Sequence, residues 1–268
     1  MTAMTLDALS GGRFILGLGP SGPQVIEGWH GVPYQPSLTR LKEHIQIVRK
    51  ILKREDKLSH DGRCYQLPFN GIGSSGQGVA LKSILHGRSG MKIYTAAMTP
   101  VGVEAAAEVA DGFMPIWCDP ERFDIFDNSI ERGLAKCDID LARRDFDILP
   151  SVPVNMGDDL QSCLNAFKPE LALYIGGMGS RKKNYYNDLA CELGFEEAAK
   201  RIQNLYLDGQ KKEATVAVPN ELVDAVTLSG PAARIVERLD RWRTNGTHTL
   251  IVSSNDLETL RILAAAVL

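Results

Sequence analysis

Between positions 11 and 23 the chain reads Gly-Gly-Arg-Phe-Ile-Leu-Gly-Leu-Gly-Pro-Ser-Gly-Pro. The glycine pair ends whatever helix precedes it, and residues 13–19 read as a fully buried strand that empties into a glycine-rich loop. At the C-terminal end of a strand in an α/β protein, small residues let backbone N–H groups approach a phosphate or a ring oxygen. The chemistry indicated is ligand holding rather than bond breaking. A second cluster, Gly176-Gly177-Met178-Gly179-Ser180-Arg181-Lys182-Lys183, interrupts a helical stretch and then sets three bases in a row. It reads either as a grip on an anion or as a solvated helix start, the second being the simpler reading.

Other reaction chemistries find no support in the residue pattern. The histidines are isolated, and no carboxylate pair has metal-ligand spacing. There is no Ser–His–Asp nucleophile elbow, and no G-x-G-x-x-G opens a βαβ unit, which argues against NAD. Five cysteines, at 64, 118, 137, 163 and 191, are scattered without a C-x-x-C pair. They read as small core residues in a reducing, cytoplasmic setting.

The elements that must position these residues follow a regular alternation. Leu41, Ile45, Val48 and Leu52 recur at helical spacing after Pro36-Ser37, with Arg40, Lys42, Arg49 and Lys53 on other faces. Residues 70–78 have loop composition, and residues 23–90 as a whole read as an insertion between two βα units. Strands are predicted over 91–97, 112–118, 146–154 and 247–253. Helices are predicted over 101–109, starting at Thr99-Pro100, through Phe123, Phe126, Ile130 and Leu134, and over 257–268. A long helical region fills 159–243, broken near 176–179 and at Pro219. With residues 13–19 this makes five βα units and implies a parallel sheet with right-handed crossovers. At 268 residues, 44% hydrophobic and 24% charged, the chain suits one large α/β domain. A net charge of −3 does not indicate a nucleic-acid surface, and no apolar run reaches the length of a membrane helix.

The order of five short motifs resembles the bacterial-luciferase-like superfamily, in particular its coenzyme F420-dependent oxidoreductases of actinobacterial type. The matching residues are Leu9-Ser10-Gly11-Gly12-Arg13-Phe14 leading to Gly17-Leu18-Gly19, then Glu27-Gly28-Trp29-His30-Gly31. Further on come residues 93–100 (Ile-Tyr-Thr-Ala-Ala-Met-Thr-Pro), residues 110–115 (Ala-Asp-Gly-Phe-Met-Pro), and residues 173–179 (Leu-Tyr-Ile-Gly-Gly-Met-Gly) before Lys183-Asn184-Tyr185-Tyr186. The resemblance implies a (β/α)8 TIM-barrel-like fold in a single domain over 1–268, with residues 13–19 as strand four and the later strands as five to eight. The family's first three βα units then have no counterpart here, so the barrel is expected to be incomplete, with an open edge at residues 13–19. A chain of this kind is also expected to oligomerise, most simply as a homodimer.

The same resemblance implies hydride transfer between F420 and a small organic molecule, with FMN monooxygenation, or a non-catalytic flavin-binding relative, as alternatives. Ser21, Gly22, Pro23, Val25 and Glu27 would contact the deazaflavin or its ribityl chain, unless the loop is an ordinary βα turn with a solvent glutamate. Ala96, Ala97, Met98, Thr99 and Gly102 would admit the anionic tail to the amides of a helix start. Ile116 and Trp117 would flank the ring or the substrate, or pack in the core. His30, beside Trp29, is the candidate proton donor because histidine titrates near neutral pH; its alternative is a structural loop residue.

Overall fold

In the computed structural model, which describes residues 1–137, 145–243, 247 and 249–267, the chain divides into two compact units. The first holds residues 1–97, 101–113 and 129–146; the second holds 98–100, 114–128 and 147–268.

The first unit opens on helix Thr2–Leu9, closed where Gly11 and Gly12 take φ of +64° and +81°, conformations that glycine adopts without steric cost. The Gly12 N–H donates to the Asp7 carbonyl at 2.8 Å. Strand Leu16–Leu18 then pairs in parallel with Ile93–Ala96, Leu18 opposite Thr95, and Gly112–Met114 follows next in that sheet. Residues 13–19 are therefore a shorter strand than the pattern implies, and they are not fully buried: Gly17 and Ile15 are exposed. Among the described residues Leu16–Leu18 is an edge strand, with only Ile93–Ala96 beside it, and an edge leaves one flank of the apolar run in solvent.

Helix Ser37–Lys53 buries Ile45 and Leu52, and Leu52 joins Met4 and Met91 in a small core that also takes Phe14, Val48 and Ile51. Arg49 ties this helix to the sheet. Its guanidinium donates to the Val109 carbonyl at 3.1 and 3.2 Å and pairs with Asp111 at 3.0 Å, while Asp111 accepts the Ile93 N–H. The insertion also carries helix Pro23–Gly28 and a two-stranded hairpin, His60–Asp61 with Gln66–Leu67, which the sequence pattern does not reveal. Helix Asp127–Leu134 crosses Pro100–Val109 so closely that a Cβ on Gly133 would stand 2.3 Å from the Glu104 carbonyl oxygen.

The second unit is a parallel sheet in the order Leu228–Gly230, Ser151–Met156, Ile251–Ser253, with a helical cluster attached. Leu228–Gly230 corrects the expectation that residues 159–243, apart from breaks near 176–179 and at Pro219, are helical. Its three residues are too few to show a period, and only pairing with Val154, Asn155 and Met156 makes them a strand. The predicted strand 146–154 is likewise split, into Asp147–Ile148 and Ser151–Met156, around Leu149-Pro150. The final helix is Leu257–Val267; His248 and Leu268, included in the expected strand and helix, lie outside the described residues. Helices Lys168–Gly177, Tyr185–Glu192, Glu196–Leu207, Lys211–Val216 and Asn220–Val226 enclose a core around Ile175, Leu189, Ile202 and Leu222. No helix among the described residues is long and apolar enough to cross a membrane.

Candidate functional site

In the first unit the strands Leu16–Leu18 and Ile93–Ala96 run parallel and end side by side, so Gly19 and Ala96 stand together at the C-terminal edge. A Cβ on Gly19 would meet the Ala96 Cβ at 3.5 Å, ordinary contact, and Gly19 itself is exposed. Ala96 is exposed and Ala97 half-buried. One residue back, the buried Thr95 hydroxyl has no hydrogen-bond partner among the described residues, a state that costs free energy unless something fills it. Gly102 is half-buried in the first turn of Pro100–Val109.

The loop that leaves Gly19 is shaped by Tyr34. Ser21 adopts φ of +56°, and its carbonyl accepts the Tyr34 hydroxyl at 3.1 Å. Glu27 accepts the Tyr34 N–H through Oε1 at 3.1 Å, so one of its oxygens serves the loop itself. Gly22 caps helix Pro23–Gly28 at an extended φ of −117°, and an added Cβ would meet only the flexible end of Gln24, at 3.3 Å. Pro23 is half-buried and Val25 exposed. His30 and Trp29 project into solvent, Trp29 at 85% exposure, with their backbone N–H groups on the Val25 carbonyl. Of the residues expected around a ligand, the structure thus gathers Gly19, Ala96 and Ala97, and orders Ser21 to Glu27 through Tyr34.

Directly below this loop is a cavity of about 190 Å³ lined by Leu18, Gly19, Pro20, Ile26, Ser37, Arg40, Leu41, His44 and Tyr65. Four of these stand at i, i+3, i+4 and i+7 on helix Ser37–Lys53, one face of that helix. Sequence reasoning assigned Arg40 to a face turned away from the core and gave His44 no role. Ser37, Arg40 and His44, polar at i, i+3 and i+7 around Leu41, are the signal that was available. Tyr65 reaches the cavity because Glu43 anchors its turn. The buried Glu43 carboxylate accepts the N–H groups of Arg63, Cys64 and Tyr65 at 2.8 to 3.2 Å and lies 3.4 Å from His60 Nε2. Burial opposes the charge most, but these donors outweigh it and hold the pKa of Glu43 below the ordinary glutamate value.

In the second unit Met98 and Ile116 pack against a cluster built on Trp117, Tyr174 and Tyr186. Trp117 takes φ of +49°, a strained backbone for a bulky residue, and its ring lies 5.9 Å from Tyr174 and 5.4 Å from Tyr186. The two tyrosines meet edge to face at 4.7 Å, and burial, then the neighbouring Tyr174, raises the Tyr186 pKa. Burial also pushes up the Cys118 thiol, leaving it an inert core group. Thr99 is half-buried at the start of Pro100–Val109.

The second glycine cluster ends its helix, and the break runs from Met178 to Asn184, before the next helix begins at Tyr185. Lys168–Gly177 runs through Gly176 and Gly177, and both pack on Tyr206, where a Cβ would stand 2.4 and 2.5 Å from its atoms. Gly179 lies equally close to Asn184. Asn184 joins two helices: its amide donates to the carbonyls of Tyr174 and Ile175, and its oxygen accepts the N–H groups of Tyr186 and Asn187. Of the three bases, Arg181 pairs with Asp208 and Asn204, and Lys183 with Asp188 at 2.6 Å.

The sequence model of the luciferase-like monooxygenase family matches residues 1–249. The chain belongs to the luciferase-like monooxygenase family. Within that family it is 38% identical, over 268 residues, to Rv3520c of Mycobacterium tuberculosis, a protein provisionally named a coenzyme F420-dependent oxidoreductase; the match covers 100% of this chain and 77% of that one. It is 24% identical over 250 residues to the 5,10-methylenetetrahydromethanopterin reductase of Archaeoglobus fulgidus, covering 93% and 70% of the two. Among solved structures, the F420-dependent tetrahydromethanopterin reductase of Methanopyrus kandleri superposes with a TM-score of 0.72 at 20% identity, over 99% of this chain and 76% of that one. An F420-dependent secondary alcohol dehydrogenase, in complex with an F420–acetone adduct, gives 0.70 at 14% identity over 99% and 72%. The luciferase-like chain therefore has the family's TIM-barrel-type α/β fold.

Proposed function

We propose that this luciferase-like chain is a coenzyme F420-dependent oxidoreductase that moves a hydride between the deazaflavin and an organic substrate. The observation that supports it most is the similarity, along the whole of this chain, to a relative named for F420, joined to an exposed strand end at Gly19 and Ala96. The residues of that end suit such a group. The backbone can be approached closely at Gly19 and Gly22, and the Thr95 hydroxyl has an unmet hydrogen bond. When bound, the deazaflavin supplies hydride chemistry at its C5 carbon.

The chain's own part is to hold and to exclude. Ser21 and Gly22 offer a hydroxyl and an amide on a loop fixed by Tyr34, while Pro23 and Val25 give it apolar surface and Glu27 keeps it closed. Ala96, Ala97 and Gly102 leave room for an acidic tail near the positive end of Pro100–Val109. His30, exposed on the same loop, would be the proton donor once a substrate covers it.

The test is an equilibrium titration of the protein with F420 and, separately, with FMN, followed by fluorescence. F420 should bind more tightly. Equal or tighter binding of FMN would assign the chain to the flavin-dependent side of its family and overturn the proposal.

A further inference from the structure

The cavity beneath the loop combines apolar walls with an uncompensated cation. Leu18, Pro20, Ile26 and Leu41 supply the walls. Arg40 uses Nη1 to hold the carbonyls of Pro33 at 3.1 Å and Tyr34 at 3.3 Å, which fixes the guanidinium in place. Its Nε and Nη2 have no partner among the described residues, Arg40 forms no ion pair there, and no carboxylate lines the cavity. A guanidinium with two donors left over and no anion beside it can take one, and its planar fork matches a carboxylate or a phosphoryl group.

Two further features point the same way. Ser37 is 8% exposed and lines the cavity, yet its hydroxyl finds no hydrogen-bond partner among the described residues; only its N–H is engaged, with Gln35. Ser37 also begins a 17-residue helix whose N-cap, Pro36, brings no side chain to satisfy the first turn. The positive end of the helix macrodipole thus opens on the same space as Ser37 and Arg40. His44, its ring 6.1 Å from Tyr65, closes the far side.

We infer that this cavity is a subsite for the anionic group of a small amphipathic acid, a carboxylate or phosphate on an apolar body, with Arg40 and Ser37 as its ligands. The role given to it, seating part of the substrate, rests on the F420-dependent reading above; the binding itself does not.

The experiment uses the full chain free of cofactor, with ¹³C-labelled histidine, and follows the His44 imidazole signal by NMR. The probes are benzoate, its neutral counterpart benzyl alcohol, and inorganic phosphate. Benzoate should shift His44 saturably, with benzyl alcohol at least about tenfold weaker. Arg40→Gln, which keeps an amide for the Pro33 and Tyr34 carbonyls, should weaken benzoate by a similar factor. Ser37→Ala, and Leu41→Phe, which fills the space, should weaken it without lowering the melting temperature. Saturation by phosphate alone would support the subsite and assign a phosphoryl group to it. An absent His44 shift, equal binding of benzoate and benzyl alcohol, or unchanged benzoate affinity in both Arg40→Gln and Ser37→Ala would overturn it. F420 binding with neither benzoate nor phosphate binding defeats only this inference; binding of either anion without F420 binding defeats only the proposed function.

Discussion

Two glycine-rich segments of this chain look alike in sequence and differ in what their glycines do. Around Gly176 and Gly177 the missing Cβ is filled by Tyr206, and at Gly179 by Asn184, so the glycines are required by packing. Around Gly22, Gly28 and Gly31 an added Cβ would meet one flexible side chain or nothing within 4 Å. Gly31 is required by its φ of +66°, whereas nothing inside the chain explains Gly22 or Gly28, the glycines that the proposed function gives to a ligand. The two segments are also anchored differently. Neutral amide bonds from Asn184 hold the second, with only exposed ion pairs at Arg181 and Lys183 beside them, whereas the unit that carries the first has better-buried ones, as in Asp7–Arg88, Arg49–Asp111 and Glu104 with Arg132 and Lys136.

The largest effect should come from Gly176→Ala. With 2.4 Å to the Tyr206 Cβ and 3.3 Å to the Ile202 carbonyl oxygen, the helices must part, at a cost of about 3 kcal/mol in denaturant unfolding. A loss below about 1 kcal/mol would show that the packing is not tight and would remove the contrast between the segments. Asn184→Ala should come next, at about 2 kcal/mol, because it deletes a helix cap and leaves two carbonyls without their donor.

A smaller, pH-dependent effect should mark the charge-anchored unit. Hydrogen bonds from Lys136, then from Arg132, lower the pKa of Glu104 from 4.5 to about 2. A depressed carboxylate contributes stability that is fully present above 4.5 and is lost as pH falls toward 2. The stability difference between wild type and Glu104→Gln, measured by urea titration, should therefore shrink steadily over that window. A difference that stays constant down to pH 2 would contradict the assignment. The smallest effect is expected for Arg181→Ala. Its pair with Asp208 is exposed on both sides, so stability should change by less than about 0.5 kcal/mol and F420 affinity not at all. A clear fall in affinity would make the basic run a ligand grip after all.

Much of this arrangement is legible in the residues. Helix Ser37–Lys53 shows its apolar stripe, Ile93–Ala96 its buried run, and Gly11-Gly12 the helix stop. Short elements are not legible: Leu228–Gly230 and the hairpin at His60 and Gln66 are too brief to show a period, and pairing alone defines them. The glycine loop announces a candidate site, but its geometry depends on Tyr34, thirteen residues from the Ser21 carbonyl it holds. The cavity was hidden for a different reason. Whether Arg40 and His44 face solvent or an enclosed space depends on what stands opposite, here Leu18, Ile26 and Tyr65, and no local spacing reports that.

The central claim is that the loop after Leu16–Leu18 holds the cofactor with glycines the fold itself does not need. Gly22→Val tests it most directly, because φ of −117° suits valine and the only close neighbour is a mobile glutamine end. F420 affinity and melting temperature would be measured together on wild type and variant. The account predicts affinity at least about tenfold weaker per folded molecule with the melting temperature essentially unchanged. Unchanged affinity, or a loss that only follows unfolding, would contradict it.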